Sequence, residues 1–285
     1  GGVLDCMAKD QDMSSPSLTD DVTIRLPHVS SAELTRSDEP AIEPANNLDA
    51  RAPQGEINDW AELAELAKRY AAETGWIFRG QSRPYELRPK IGRQGQRRDA
   101  NNKPIPYDLN EELTIFEHFK RRSRPYLNHQ PQGDLEWLAV AQHHGLPTRL
   151  LDWSESFLAA VFFAVEKAGV GGPASIFAAQ ITDRAAPLED PFHLPIIKLY
   201  RAPHIAPRIA AQQGIFTVHS EPATNANFPK LELWHIPRKP ICFSIKRTLD
   251  VCGVNRAGLF PDIDGLATYL VWRYKWSDFI KMPKP

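Results

Sequence analysis

The chain has 285 residues, 42% of them hydrophobic, with 34 basic and 35 acidic side chains and a formal net charge of −1. That balance excludes a protein that coats nucleic acid or an anionic membrane by bulk charge, and the length leaves room for one large domain or two. Cys6, Cys242 and Cys252 show neither metal-ligand spacing nor an even-numbered disulfide framework, so a reducing compartment, the cytoplasm by default, is expected. No apolar run reaches membrane-spanning length. No signal peptide is visible behind the opening Gly1-Gly2, which reads as a trimmed or tagged start.

Residues 1–54 are rich in Ser, Asp, Pro and Asn and read as a loosely ordered acidic leader with one strand at Val22–Leu26. Helical spacing begins near Asn58 with Trp60, Leu63, Leu66, Ala67 and Tyr70 and closes at Gly75. A short strand, Trp76 to Gln81, follows, then a turn at Ser82-Arg83-Pro84 and an extended piece from Tyr85 to Pro89. Residues 94–106 read as a loop, and a helix is expected over Glu111–Tyr126 behind Asn110 as its cap. Residues 79–124 carry twelve basic side chains against six acidic ones, the local excess that an anionic ligand would need.

The centre of the chain, Leu135 to Glu166, reads as an amphipathic surface helix stopped by Gly145 and Pro147, a polar turn from Pro147 to Ser154, and a helix apolar all round and therefore buried. Asp152-x-x-Glu155 resembles the cap of that second helix. Strands are expected at Ala174–Ile181, Ile196–Tyr200, Ile215–His219, Leu231–Ile236 and Ile241–Phe243, with a short helix over Pro207–Gln213. A last helix carries Leu266, Leu270, Trp272 and Tyr274. With no internal repeat and no linker after residue 55, residues 55–285 form one α+β domain with a mixed or split β-sheet core and flanking helices.

Arg79 stands out because a charge ends an apolar strand and a glycine follows it. A guanidinium can clamp a carboxylate or a pyrophosphate with two parallel bonds, and Gly80 would let the backbone approach closely; alternatively Arg79 pairs with an internal acid such as Asp152. His143 and His144 end a helix, where imidazolium suits the dipole without further function. Asp152 is a cap or a base, and Ser154 is accounted for by capping. Gln142, Gln212 and Gln213 are amides near chain reversals. No spacing supports a bound metal, a phosphate-cradling glycine loop or a strand-borne serine nucleophile.

The blocks Phe78-Arg79-Gly80-Gln81, Leu138-x-x-x-Gln142-His143-x-Gly145-Leu146-Pro147-Thr148-Arg149-Leu150-Leu151-Asp152-Trp153-Ser154, Arg208-Ile209-x-x-Gln212-x-Gly214-x-Phe216-Thr217 and Leu259-Phe260-Pro261-Asp262-x-Asp264-Gly265 resemble the FRG domain family in order and spacing, over roughly residues 57–271. The family is found largely in bacteria and their phages, and its name does not give a function. A second, weaker resemblance is to ADP-ribosyltransferases of the arginine–serine–glutamate type. Those carry an Arg ending an early strand, a Ser/Thr-rich strand leading into an apolar helix, and a glutamate at the start of a later strand. It implies an ADP-ribosyltransferase-like fold serving a bacterial toxin or phage-defence system, with NAD as substrate. Arg79 would anchor its pyrophosphate and Thr148 would support its nicotinamide ribose.

On that resemblance the nucleotide-binding set is Arg79, Gly80, Gln81, Thr148, Arg149 and Ser154, and the catalytic candidates are His143, Asp152 and Gln213. Where the transferases place a glutamate, this chain has Gln213, and the nearest following carboxylate is Glu221. Slow hydrolysis, catalysis by His143 or Asp152, and binding without chemistry therefore all stand open. Two rival readings remain: a polyanion or nucleic-acid module built on the basic segment 83–124, and a protein-interaction domain that meets its target through the acidic leader.

Overall fold

The computed structural model describes residues 49–93, 98–167, 172–203, 207–238 and 240–275, all within the compact unit Ala45–Pro285. The strand expected at Val22–Leu26 and Cys6 lie outside the described residues. The elements, in chain order, are β1 (Gly55–Glu56), α1 (Trp60–Ala71), β2 (Trp76–Gln81), α2 (Leu109–Ser123), α3 (Asp134–His143), β3 (Leu150–Ser154), α4 (Phe157–Glu166) and β4 (Ala174–Gln180). They continue with β5 (Lys198–Tyr200), α5 (Pro207–Ala211), β6 (Gly214–Val218), β7 (Lys230–Ile236), α6 (Ile241–Val251), α7 (Arg256–Leu259) and α8 (Ile263–Lys275). The strands form one seven-stranded sheet in the order β1-β7-β4-β2-β3-β6-β5, antiparallel except for the β1–β7 pair. The α+β class with a mixed sheet is therefore the observed one.

Alternation along the strands divides the core. Trp76 and Phe78 face α1, α4 and α6 and pack with Leu63, Tyr70, Phe162 and Ile245. Farther along the sheet, Leu150, Phe216 and Val218 meet Phe116 of α2 and Leu135 and Leu138 of α3. The residues between them in register, Ile77, Leu151, Trp153, Phe177 and Ile215, pack beneath Leu87, Ala226 and Phe228 from connecting segments. Both faces of the sheet are thus covered.

Four local expectations are corrected. The stretch expected to be a polar turn is, from Leu150 on, strand β3 in the interior of the sheet, paired with β6 at five consecutive positions. Ser154 is absorbed by buried hydrogen bonds and Asp152 faces solvent from mid-strand, so polarity does not mark a turn here. Helix α4 is accordingly capped by Ser156, whose side chain accepts from Ala159 N, while Asp152 sits in mid-strand. Helix α3 is no surface helix: Leu135 through Ala141 are all buried, Glu136 included. Beyond the centre, Ile241–Phe243 opens helix α6 rather than a strand, because Cys242, Ile245 and Leu249 recur at helical spacing and are the buried face. Residues 49–54 bond to the body: Asp49 N donates to Pro84 O at 2.6 Å and Gln54 N to Leu233 O at 2.7 Å.

Gly80 is the tightest point of the sheet–helix packing. A Cβ there would stand 1.7 Å from Ala160 O and 2.7 Å from Ala164 N, so α4 rests directly on the backbone of β2. Gly80→Ala must push the helix away, with a loss at or above the roughly 1–3 kcal/mol typical of overpacking. Urea unfolding of this variant measures it; a stability equal to that of the parent would mean that α4 is not seated on β2 as described.

Candidate functional site

Strands β2 and β3 are neighbours but pair at a single position, Phe78 with Ser154. A cavity of about 250 Å³ opens beside that pair, lined by Arg79 of β2, by Leu150, Leu151 and Asp152 of β3, by Gln142, Gly145 and Leu146 at the end of α3, and by Lys90 and Arg93. Its ionisable lining is three basic groups against the one carboxylate of Asp152, which suits an anion.

The walls follow from local structure. Helix α3 ends at Gly145, whose φ of 90° is the left-handed conformation of a helix stop, and Leu146 N reaches back to Ala141 O at 3.0 Å. The chain then turns through Thr148, which is buried. Its hydroxyl donates to Gln142 Oε1 and accepts from Leu150 N at 3.2 Å. With the amide oxygen of Gln142 so engaged, its NH2 group is the end left to face other partners. Lys90 Nζ donates to Gly145 O at 3.1 Å, and Arg93 Nε to Arg88 O at 3.0 Å, so both cations are tethered at the rim.

Arg79 donates from Nη1 to the main-chain oxygen of Asp152 at 2.6 Å, and the same nitrogen is 4.0 Å from Asp152 Oδ2. The Arg79 side chain is 15% exposed and that of Asp152 63%. The guanidinium therefore bridges the gap between the strands through a carbonyl, and the carboxylate stays largely in solvent at the cavity edge.

A polar chain runs from β3 across β6. Trp153 Nε1 donates to Thr217 Oγ1 at 3.0 Å, and the same oxygen shares a hydrogen bond of 2.8 Å with His219 Nε2. Burial, then the charges of Arg79 and Arg149, push the His219 pKa down to about 3.

The sequence-derived set separates. Arg79, Asp152 and Gln142 line the cavity, with Thr148 directly behind Gln142. Gly80 approaches α4, not a ligand. Gln81 is buried and donates to Tyr85 O at 3.1 Å. Ser154 is buried, donates to Gln212 O at 2.7 Å and accepts from Ser156 N at 2.9 Å, fastening β3 to the α5–β6 turn. Arg149 is 1% exposed and its donors are taken up internally, by Glu112 at 3.1 and 2.7 Å, Tyr107 Oη at 3.0 Å, Pro191 O at 3.0 Å and His219 O at 3.2 Å. Gln213 is exposed in the turn before β6 with a φ of 46°, and its carbonyl accepts from Glu155 N at 3.0 Å. His143 is half-buried, its pKa lowered by burial first and then by His144 and Arg208.

Sequence reasoning missed Lys90, Arg93 and Arg208 as individual site residues. The first two were hidden within a basic block whose other members, such as Arg88 paired with Glu86 at 2.7 Å, are structural. Arg208 lies with its guanidinium 4.1 Å from the Phe260 ring centroid, and Asp152 and Asp262 are among the charges acting on it. The signal was the spacing of the third and fourth motif blocks, which bring Arg208 and Phe260 together.

A comparison with known families falls on this region. Residues 74–170 match the FRG domain family model. No curated protein and no solved structure matches the chain. The matched FRG segment runs from the residues before β2 to just past α4, so it contains Arg79, Lys90, Arg93, Gln142, Thr148 and Asp152 together with the helix that Gly80 seats. Among the described residues no helix is long and apolar enough to cross a membrane.

His219 supplies a test of the buried chain. Its folded pKa of about 3 lies below the ordinary value of about 6.5, so the unfolded chain binds the extra proton between those limits. The stabilisation is complete above pH 6.5 and is lost as pH falls toward 3. The thermal midpoint of the parent should therefore drop more steeply between pH 6.5 and 4 than that of His219→Gln; parallel slopes would place the imidazole in contact with solvent.

Proposed function

We propose that the cavity between β2 and β3 binds a nucleotide of the NAD type, with Arg79 anchoring the pyrophosphate, in an ADP-ribosyltransferase-like domain of a bacterial toxin or phage-defence system. The observation that carries the reading is that the three segments behind the transferase resemblance lie on three adjacent strands, β2, β3 and β6, with Arg79 at the cavity that β2 and β3 border. Lys90 and Arg93 add positive charge where a diphosphate needs it, and charge-assisted contacts of this kind contribute about 1.5–3 kcal/mol each. About 250 Å³ is room for the anionic centre and one flanking ring system, the remainder of a dinucleotide lying along the open rim.

Thr148 acts through Gln142 rather than by direct contact, holding the carboxamide toward the ligand. The cavity-lining carboxylate, Asp152, is the group positioned to polarise a ribose hydroxyl or a water, since Gln213 is committed to its turn. Bond cleavage at the nicotinamide would pass through an oxocarbenium-like state, which a fixed carboxylate at that edge stabilises. A cytoplasmic setting belongs to the same reading, supported by Cys242 and Cys252 being free thiols.

Calorimetry with NAD and an assay for nicotinamide release test this on the parent, Arg79→Ala and Asp152→Asn. We expect Arg79→Ala to lose at least roughly tenfold in affinity, and Asp152→Asn to keep binding while losing release. No binding by the parent at millimolar NAD would remove the reading.

A second reading rests on a different surface. Arg121, Arg122 and Arg124 at the end of α2 are exposed, and Tyr126 beside them is 85% exposed, a combination suited to a polyanion backbone and a stacked base. If this surface serves nucleic acid, single-stranded DNA or RNA should bind with an affinity that falls steeply as salt rises, and Arg121→Ala/Arg122→Ala should flatten that slope.

A further inference from the structure

Helix α8 presents two unlike faces. Gly265, Tyr269 and Trp272 turn inward, with Gly265 so close to Phe260 that a Cβ would stand 2.1 Å from its carbonyl oxygen. The opposite face carries Ile263 (76% exposed), Leu266 (43%), Leu270 (40%), Val271 (52%) and Tyr274 (77%). With Ala267, also exposed, these positions follow i, i+3, i+4, i+7, i+8 and i+11, a continuous apolar stripe from Ile263 to Tyr274 along the 13-residue helix, about 17 Å. Scattered exposed apolar residues need no explanation, but a contiguous stripe of this length marks an interaction surface.

The charges beside the stripe select its occupant. Asp262 and Asp264 stand at the start of the helix, and Arg273 and Lys275 at its end. At 100° per residue Asp262 and Arg273 fall on one flank of the stripe, and Asp264 and Lys275 on the other. When two helices pack antiparallel about a two-fold axis, like flanks face each other with their ends reversed. An aspartate of one copy then meets a basic residue of the other on both flanks. Parallel packing would instead set aspartate against aspartate and cation against cation.

We infer that the exposed stripe of α8 is a homodimer interface, in which a second copy of this chain packs antiparallel, Ile263 toward Tyr274 of its partner and Leu266 toward Leu270 and Val271. A single helix pair of this length lies at the small end of specific interfaces, so the dimer is a weak one that forms with rising protein concentration. The inference is independent of what the β2–β3 cavity binds.

Sedimentation velocity of the full chain across the micromolar range should show a monomer–dimer equilibrium. Leu270→Asp should raise the dissociation constant by roughly tenfold or more, with an unchanged circular dichroism spectrum because the residue is on the surface. The charge pair discriminates further: Asp264→Lys and Lys275→Glu should each weaken the dimer, and the double variant should restore it. A monomer at every concentration, or a dimer indifferent to Leu270→Asp, would overturn the interface. A dimer strengthened by Asp264→Lys alone would overturn the antiparallel arrangement.

Discussion

The structure depends first on the buried guanidinium of Arg149. An arginine that is 1% exposed must have its donors satisfied, because an uncompensated buried charge costs several kcal/mol. Glu112, itself 2% exposed, takes two of its hydrogen bonds from α2, and the carbonyls of Pro191 and His219 take others from two distant points of the chain. Tyr107 closes the network by donating to Glu112 Oε2 at 2.6 Å, and Phe192 covers the guanidinium plane at 4.7 Å. Burial and the adjacent Glu112 carboxylate both raise the pKa of Tyr107, so the phenol stays a donor. Removing one partner of such a pair costs about 3–5 kcal/mol, and here the loss would fall on the entry to β3, the start of α2 and the exit from β6 together.

Because Arg149 fixes where β3 begins, it also fixes the cavity. Thr148 and Leu150 flank it in sequence, and their hydrogen bonds hold Gln142 and the end of α3 against the gap between β2 and β3. Two arginines thus divide the work. Arg149 spends its charge inward, whereas Arg79 donates to the Asp152 carbonyl at the cavity wall. Nearby His219 is kept neutral across the physiological pH range.

Much of this was legible in the sequence wherever one kind of packing governs a segment. Trp76 to Gln81 and Phe157 to Glu166 read correctly because burial alone dictates their apolar residues, and Arg79 was conspicuous as a charge ending such a strand. Strand β3 was illegible for the opposite reason. Arg149 and Ser154 are polar because α2 and the α5–β6 turn supply partners from far away in the chain, Thr148 bonds Gln142 of α3, and nothing local distinguishes these residues from those of a turn. Gly80 illustrates a residue identified for the wrong neighbour: a close approach was expected, but only the fold shows that the approaching group is Ala160. Lys90 and Arg93 were unreadable because one basic segment supplies both structural pairs and cavity lining.

The position of Gln213 narrows what chemistry the proposed nucleotide site can carry. A residue at a φ of 46° is there for the turn, and the main-chain bond from Glu155 fastens that turn to the end of β3. A glutamate substituted at 213 would occupy the same exposed corner rather than the cavity. On the proposed reading the carboxylate would come from β3, where the bond between Arg79 and the Asp152 carbonyl fixes the backbone and the side chain is 63% exposed. Asp152 also lies within the field of Arg208, which is packed against Phe260, so a negative charge at this edge has a cation on either side. On the proposed reading, a carboxylate at this edge would stabilise a developing positive charge, and a catalytic role at this cavity would rest on Asp152 in preference to Gln213.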